Sequence, residues 1–216
     1  MQLKFLPSFV KRKGRITKKQ THSLSSLSEF SVKSIQEVED FSKHFDKCYL
    51  EIGFGNAENI IFQAINNPSY LFIGSEVYMS GIGTLISSIK ENNIKNIKIF
   101  SDDIRLLLDQ SPKKVFDSVI IICPDPWPKE KHHKRRLMSY KILSLLNKIT
   151  KSKNSIYMTT DSSDYLRDTV SLLNEHKDSF GTFSSSTLNK NDELYGISKY
   201  QRKAIENGGK IYLLTL

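Results

Sequence analysis

The sequence predicts a Rossmann-like α/β fold built on a mostly parallel seven-stranded sheet with an antiparallel C-terminal strand. Three observations predict it. Short β-branched or apolar runs alternate with longer helical stretches between residues 49 and 159, two glycines follow the first of those runs, and the chain's end breaks the alternation with two strand-like segments. Strands joined through helices of this length pack as right-handed crossovers, which makes them parallel.

Taken in order, residues 1–47 are expected to form a basic N-terminal extension, a tail outside the core. It opens with Lys11-Arg12-Lys13-Gly14-Arg15, followed by Lys18 and Lys19, a Ser-rich stretch and a short helix over 32–45. Being basic, serine-containing and free of acids before Glu29, it also has the composition of an organelle transit peptide. Residues 48–216 are expected to form one domain, with strands at 49–52, 70–74, 97–100, 115–123 and 155–159 and helices in the gaps. Strand-like segments at 180–186 and 210–216 then flank a loop and a short helix over 199–206. At 216 residues and 38% hydrophobic content the chain can bury one core, so a single active site is expected.

Lys plus Arg exceed Asp plus Glu by 32 to 23, a formal charge of +9 that favours polyanionic partners, nucleic acid first and an anionic membrane surface second. The sequence has no run of about 18 apolar residues and no apolar segment near its start, so a soluble, cytoplasmic protein is expected. The two cysteines, Cys48 and Cys123, lie in apolar strand contexts without Cys or His at ligand spacing, so neither a disulfide nor a zinc site is expected.

Ligands of open α/β sheets bind beyond the carboxyl ends of the strands. There the sequence places Glu51-Ile52-Gly53-Phe54-Gly55-Asn56-Ala57, in which Gly53 and Gly55 let backbone approach a ligand closely or simply form a tight turn. Glu76, at the tip of the second strand, is positioned to accept hydrogen bonds from a ribose diol. Glu58 and Asn59 stand where a pyrophosphate-binding turn has its third glycine, which argues for a cofactor without phosphates. S-adenosylmethionine fits: its sulfonium is attracted by carboxylates such as Glu51. Asp103, after the third strand, either meets the adenine amino group or caps a helix.

The reacting half follows the most hydrophobic strand. Pro124-Asp125-Pro126-Trp127-Pro128 fixes φ at three points and holds Asp125 and Trp127 rigidly. Methyl transfer to a ring nitrogen that carries a lone pair and no proton needs no general base, so positioning would dominate. Asp125 is suited to accept hydrogen bonds from the ring N–H and amino group of a base and to offset the charge that develops on the ring. The run Lys129-Glu130-Lys131-His132-His133-Lys134-Arg135-Arg136 carries five positive residues in eight and suits phosphate contact. Adjacent histidines have the wrong spacing for helical metal ligands, so no metal is expected. Asp161 with Tyr165, and the group Ser198-Lys199-Tyr200-Gln201, either reach the base or, for Asp161 and Ser198, cap helices.

Together the segments EIGFGNAENI, SEVYMSGIG, SDDIRLLL, PDPWPKEKHHKRRL and TTDSSDYL closely resemble the bacterial tRNA (guanine-N7-)-methyltransferase family, which modifies a variable-loop guanine. The likeness extends to SFVKRKGRIT at residues 8–17, similar to the family's basic entry segment, which weighs against a transit peptide. The resemblance implies a Class I S-adenosylmethionine-dependent methyltransferase with tRNA as partner, acting as a monomer or homodimer. It implies Glu51, Glu76, Asp103 and Asp125 at the cofactor site, with Asp125 catalytic, and Lys129 and Asp161 as substrate contacts. It further implies an RNA-binding stretch from Lys131 through His132, His133, Lys134 and Arg135 to Arg136, and a substrate motif spanning Ser198, Lys199, Tyr200 and Gln201. Two departures stand out: Ala57 occupies a position that is often glycine in the family, and Ser198 and Gln201 replace Thr and Glu. The first is expected to be benign; the second exchanges a carboxylate for an amide, which keeps an acceptor but adds a donor and loses charge at the guanine or cofactor contact, and activity is still expected. Two rival classes fit parts of the pattern: a methyltransferase acting on an exocyclic amine, and a non-catalytic RNA-binding protein.

Overall fold

The computed structural model describes residues 6–9, 15–110 and 113–216. Its strands are β1 (Lys47–Ile52), β2 (Tyr70–Ser75), β3 (Ile97–Phe100), β4 (Ser118–Ile122), β5 (Ile156–Thr160), β6 (Ser184–Thr187) and β7 (Tyr212–Thr215). The helices are α1 (Lys18–Leu24), α2 (Leu27–Phe30), α3 (Ile35–Ser42), α4 (Glu58–Asn66), α5 (Met79–Glu91), α6 (Ile104–Leu108), α7 (Tyr140–Ile149), α8 (Ser163–Glu175), α9 (Lys177–Phe180) and α10 (Lys199–Glu206), with a 3₁₀ turn over Glu130–Arg135. The sheet order is β3-β2-β1-β4-β5-β7-β6. The first five strands are parallel and β7 is antiparallel to both of its neighbours, as the sequence predicts.

Side-chain alternation explains the layering. Cys48, Leu50 and Ile52 of β1 and Leu71 and Ile73 of β2 join one apolar cluster, whereas Phe72 joins the other, which includes Ile60, Ile82 and Ile86 of α4 and α5. A sheet buried on both faces needs such continuously apolar parallel strands. Among the described residues no helix is long and apolar enough to cross a membrane.

Three expectations need correction. The fourth strand is shorter than 115–123, because Phe116 pairs only through an isolated bridge with Thr150 and Cys123 turns out of the strand at φ 45°. The segment 180–186 splits: Phe180 ends α9, Gly181 stops it at φ 76°, and only Ser184–Thr187 is strand. The stretch from Arg15 onward is not a tail outside the core. Val32, Ile35 and Val38 are buried in the first cluster, Ser31 bridges Ile99, and the Val32 amide donates to the Ile99 carbonyl at 2.9 Å. The helix α1 lies so close to α5 that a Cβ on Gly83 would come within 2.9 Å of the Gln20 carbonyl oxygen. Lys11, Arg12, Lys13 and Gly14 lie outside the described residues.

Candidate functional site

A cavity of about 750 Å³ opens beyond the carboxyl ends of β1, β2 and β4, within the usual size range of small-molecule sites. Glu51, Gly53, Gly55, Glu76, Asp103, Asp125, Asp161, Ser198, Lys199 and Tyr200 all line it, so both halves predicted from sequence meet in one space.

The glycine turn is held on three sides. Gly53 and Gly55 sit at φ 73° and 54°, where a side chain is disfavoured. The Gly53 amide donates to the Ser75 carbonyl at 2.7 Å, and the Gly55 amide donates to Glu76 Oε2 at 2.8 Å. Oε1 of Glu76 accepts from the amides of Val77 (2.7 Å) and Tyr78 (2.9 Å), so this acid clasps the turn as well as facing the cavity. Gly81 of α5 closes the third side: a Cβ there would lie 2.0 Å from the Gly55 carbonyl oxygen. Ala57 keeps the glycine-like geometry at φ 67°, ψ 17°, fully buried as the N-cap of α4. The departure from glycine is therefore not benign locally; a left-handed alanine carries roughly 1–2 kcal/mol of backbone strain.

Glu51 is 5% exposed and accepts one hydrogen bond, from Asn59 Nδ2 at 2.8 Å. Burial pushes its carboxyl up to about 8, with the nearby Glu76 adding to the rise and the Asn59 bond opposing it. Asn59 Oδ1, also buried, has no partner among the described residues. A desolvated acid beside an unpartnered acceptor suits a ligand that brings N–H donors and positive charge. Asp103 realises the capping alternative: it is the N-cap of α6, its Oδ1 accepting from the Arg105 amide at 3.0 Å and its Oδ2 pairing with Arg105 Nη2 at 2.6 Å. Asp102, beside it, is exposed in the cavity wall.

In the proline loop, Cys123 and Trp127 adopt φ 45° and 46°, two residues on either side of Asp125, which is exposed and faces the cavity. Bulky residues rarely hold such conformations unless the surroundings impose them, and functional loops are where this recurs. The Trp127 Nε1–H donates to the Ser8 carbonyl at 3.1 Å, which brings the N-terminal segment across the mouth, where Ser8 and Phe9 join the lining. Asp161 is exposed and is not the cap of α8; Ser162 is, accepting from the Tyr165 amide at 3.2 Å. Tyr165 cannot reach a base: it is fully buried, and its hydroxyl accepts from the Met138 amide at 3.0 Å.

The structure divides the basic run. Lys129, Lys131 and Lys134 are exposed. Arg135 lies 5.0 Å from the Trp127 ring and His132 meets that ring edge-on at 5.7 Å; desolvation, then the flanking cations, hold His132 below the ordinary imidazole value. Arg136 does not face solvent. It is 6% exposed and engages Asp164 and Asp168, which overturns its expected role as a phosphate contact. His133, Asp164 and Asp168 bring potential ligand atoms within 4.8 Å of one another, but the Arg136 guanidinium pairs with both acids and lies 3.1 Å from His133 Nε2.

Ser198 and Gln201 form a capping box on α10, with Ser198 Oγ accepting from the Gln201 amide and Gln201 Oε1 from the Ser198 amide. Gln201 is fully buried and its Nε2 donates to Thr159 Oγ1 at 3.0 Å, so it does not line the cavity and the expected substrate contact is corrected to a structural one. Sequence reasoning missed Glu58, which lines the cavity and whose Oε2 accepts from the Lys199 amide at 2.7 Å. A partner 141 residues away leaves no local pattern to read.

Comparison with known proteins fits this geometry. A family model described as "Putative methyltransferase" matches residues 46–214. The tRNA (guanine-N(7)-)-methyltransferase of Wolbachia pipientis wMel is 34% identical over 188 residues, covering 86% of this chain and 81% of that protein. The chain belongs to the tRNA (guanine-N(7)-)-methyltransferase family. A second family member, from Neorickettsia sennetsu, is 37% identical over 161 residues, covering 74% of this chain and 71% of its own. Among solved structures, the 16S rRNA methyltransferase KamB shares the fold with a TM-score of 0.64 at 14% identity, over 86% of this chain and 94% of that one. The seven-stranded order with an antiparallel β7 is thus the Class I methyltransferase sheet, and this family member carries its cavity where that fold binds ligands.

Proposed function

We propose that this chain transfers a methyl group from S-adenosylmethionine to N7 of a variable-loop guanine in tRNA, in the cytoplasm, as a monomer or homodimer. The observation that carries it is the convergence of Glu51, Glu76 and Asp103 with Asp125 and Asp161 on one cavity. When bound, the cofactor supplies an electrophilic methyl on sulfur; the S–C bond breaks as N7 forms the new bond, leaving a neutral thioether and a cationic guanine. Glu51 and Asn59 Oδ1 hold the cofactor's ammonium end, Glu76 the ribose, and Asp103 or its exposed neighbour Asp102 the adenine edge. Asp125 accepts from the guanine N1–H and amino group and offsets the ring's charge, and Asp161 and Lys199 bracket the base. Lys129, Lys131 and Lys134 contact phosphates, with residues 1–47 contributing to the same tRNA surface.

The test is incubation of the protein with unmodified tRNA and methyl-labelled S-adenosylmethionine, then nucleoside analysis by mass spectrometry. Label in 7-methylguanosine of the variable loop is expected. Label in an N-methylated adenine or cytosine would replace this reading with the exocyclic-amine one, and absence of cofactor binding in calorimetry would leave an RNA-binding protein.

A further inference from the structure

Arg136 ends the basic run, yet its guanidinium points inward and joins three parts of the fold: the proline loop, α8 and the 3₁₀ turn. Nε donates to the Pro126 carbonyl at 2.9 Å, Nη2 to Asp164 Oδ2 at 2.6 Å and Nη1 to Asp168, while the guanidinium carbon lies 4.9 Å from the Tyr165 ring. His133 Nε2 completes the shell at 3.1 Å from Nη2. The planar, permanently charged fork is suited to hold several acceptors at fixed angles; a lysine ammonium is not.

The partners' places in the chain give these contacts their meaning. Pro126 directly follows Asp125, and Asp164 and Tyr165 occupy the first turn of α8, whose cap Ser162 directly follows Asp161. The loop around Asp125 contains three prolines and so lacks three backbone donors. Cys123 and Trp127, at positive φ, show that it holds a strained shape. Such a shape persists only where the surroundings over-determine it, and the Pro126 carbonyl is one of the handles left for doing so. We propose that Arg136 is a positioning residue that sets the Asp125 loop in register with the Asp161 loop, so that the two acids address one base together. The proposal rests on the methyltransferase reading above.

Arg136→Lys and the double variant Asp164→Asn/Asp168→Asn test it, assayed beside the wild type with unmodified tRNA. In Arg136→Lys, kcat is expected to fall roughly a hundredfold, with KM for tRNA within about threefold of wild type and its salt dependence unchanged. The double variant, although it adds net positive charge, is expected to lose kcat in the same way. Trp127, the only tryptophan of the chain, sits in the loop, and its emission should shift in both variants while the far-ultraviolet circular dichroism stays native. Arg136→Lys with kcat within about twofold of wild type, or a loss carried wholly by tRNA KM with a flattened salt slope, would overturn the proposal in favour of a neutral site or a phosphate contact. An unshifted Trp127 emission in both folded variants would overturn it independently of turnover. A wild type that binds cofactor and transfers no methyl would instead sink the functional reading, leaving the emission to decide the clasp.

Discussion

Asn59 Nδ2 donates to Glu51 Oε2 at 2.8 Å at the floor of the cavity, where the acid is desolvated enough to sit near 8 instead of 4.5. Because the folded value is above the unfolded one, the folded chain holds a proton that the unfolded chain has released between those two values. The contribution of this group to stability is therefore fully present below 4.5 and is lost as pH rises through about 8. Glu51→Gln should flatten the fall of the unfolding midpoint over that window. Cofactor binding below pH 8 should release a proton, seen in calorimetry as a buffer-dependent enthalpy. A buffer-independent enthalpy would show that Glu51 does not change state on binding.

Gly81→Ala places a methyl 2.0 Å from the Gly55 carbonyl oxygen, a backbone atom that cannot rotate away. The glycine turn must then shift, and cofactor affinity should drop about tenfold or more, about 1.4 kcal/mol. Isothermal titration with the cofactor reads this directly; unchanged affinity would mean that the turn does not touch the ligand.

Asp125→Ala should abolish turnover, by roughly a hundredfold or more, with a native circular dichroism spectrum, since the side chain is exposed and takes no part in the core. Single-turnover transfer to tRNA is the measurement, and near-normal rates would remove Asp125 from the chemistry.

Replacing the exposed Lys131 and Lys134 with alanine should weaken tRNA binding and reduce the slope of log affinity against log salt by roughly 0.7–0.9 for each phosphate that is no longer neutralised. Filter binding across a salt series gives the slope, and an unaltered one would move the RNA surface elsewhere.

Gln201→Ala removes a capping box and a buried bond to Thr159, so it should destabilise the fold by about 1–3 kcal/mol in denaturant unfolding. Its effect on kcat at a temperature where the variant is folded should be small; a large catalytic loss in a stable variant would restore the substrate role.

The parallel half of the fold was legible because its strands are bounded by turn residues and buried on both faces; β3 begins and ends where its apolar run does. β6 was misplaced because Ser184–Thr187 is wholly exposed and carries no alternation, while Phe180 lent its apolar character to a helix end. Among the described residues of the N-terminal region the buried apolar ones are Val32, Ile35 and Val38, set among many polar residues, too sparse a stripe to distinguish a packed segment from a tail. Glu76, Asp103, Asp125 and Asp161 were readable from their places after strands, whereas Glu58, whose partner is distant, was not. Arg136 and Gln201 were misread because what decides them is distant: Asp164 and Asp168 lie 28 and 32 residues from Arg136, and Thr159 lies 42 from Gln201. A run of like charges reveals nothing about which member turns inward.

The bridge from Ser31 to Ile99 also governs how the sheet ends. β3 is the outermost strand on its side, and Ile97, Ile99 and Phe100 make it the kind of short apolar edge that recruits a second chain. The Val32 amide occupies the Ile99 carbonyl, and residues 31 and 32 lie along that edge as a sheath. The opposite edge, β6, is hydroxyl-rich and solvated and offers little apolar surface for a neighbour to grip. Removing the segment before Lys33 would therefore strip Ser8 and Phe9 from the cavity mouth and also turn a self-limiting sheet into a template for aggregation.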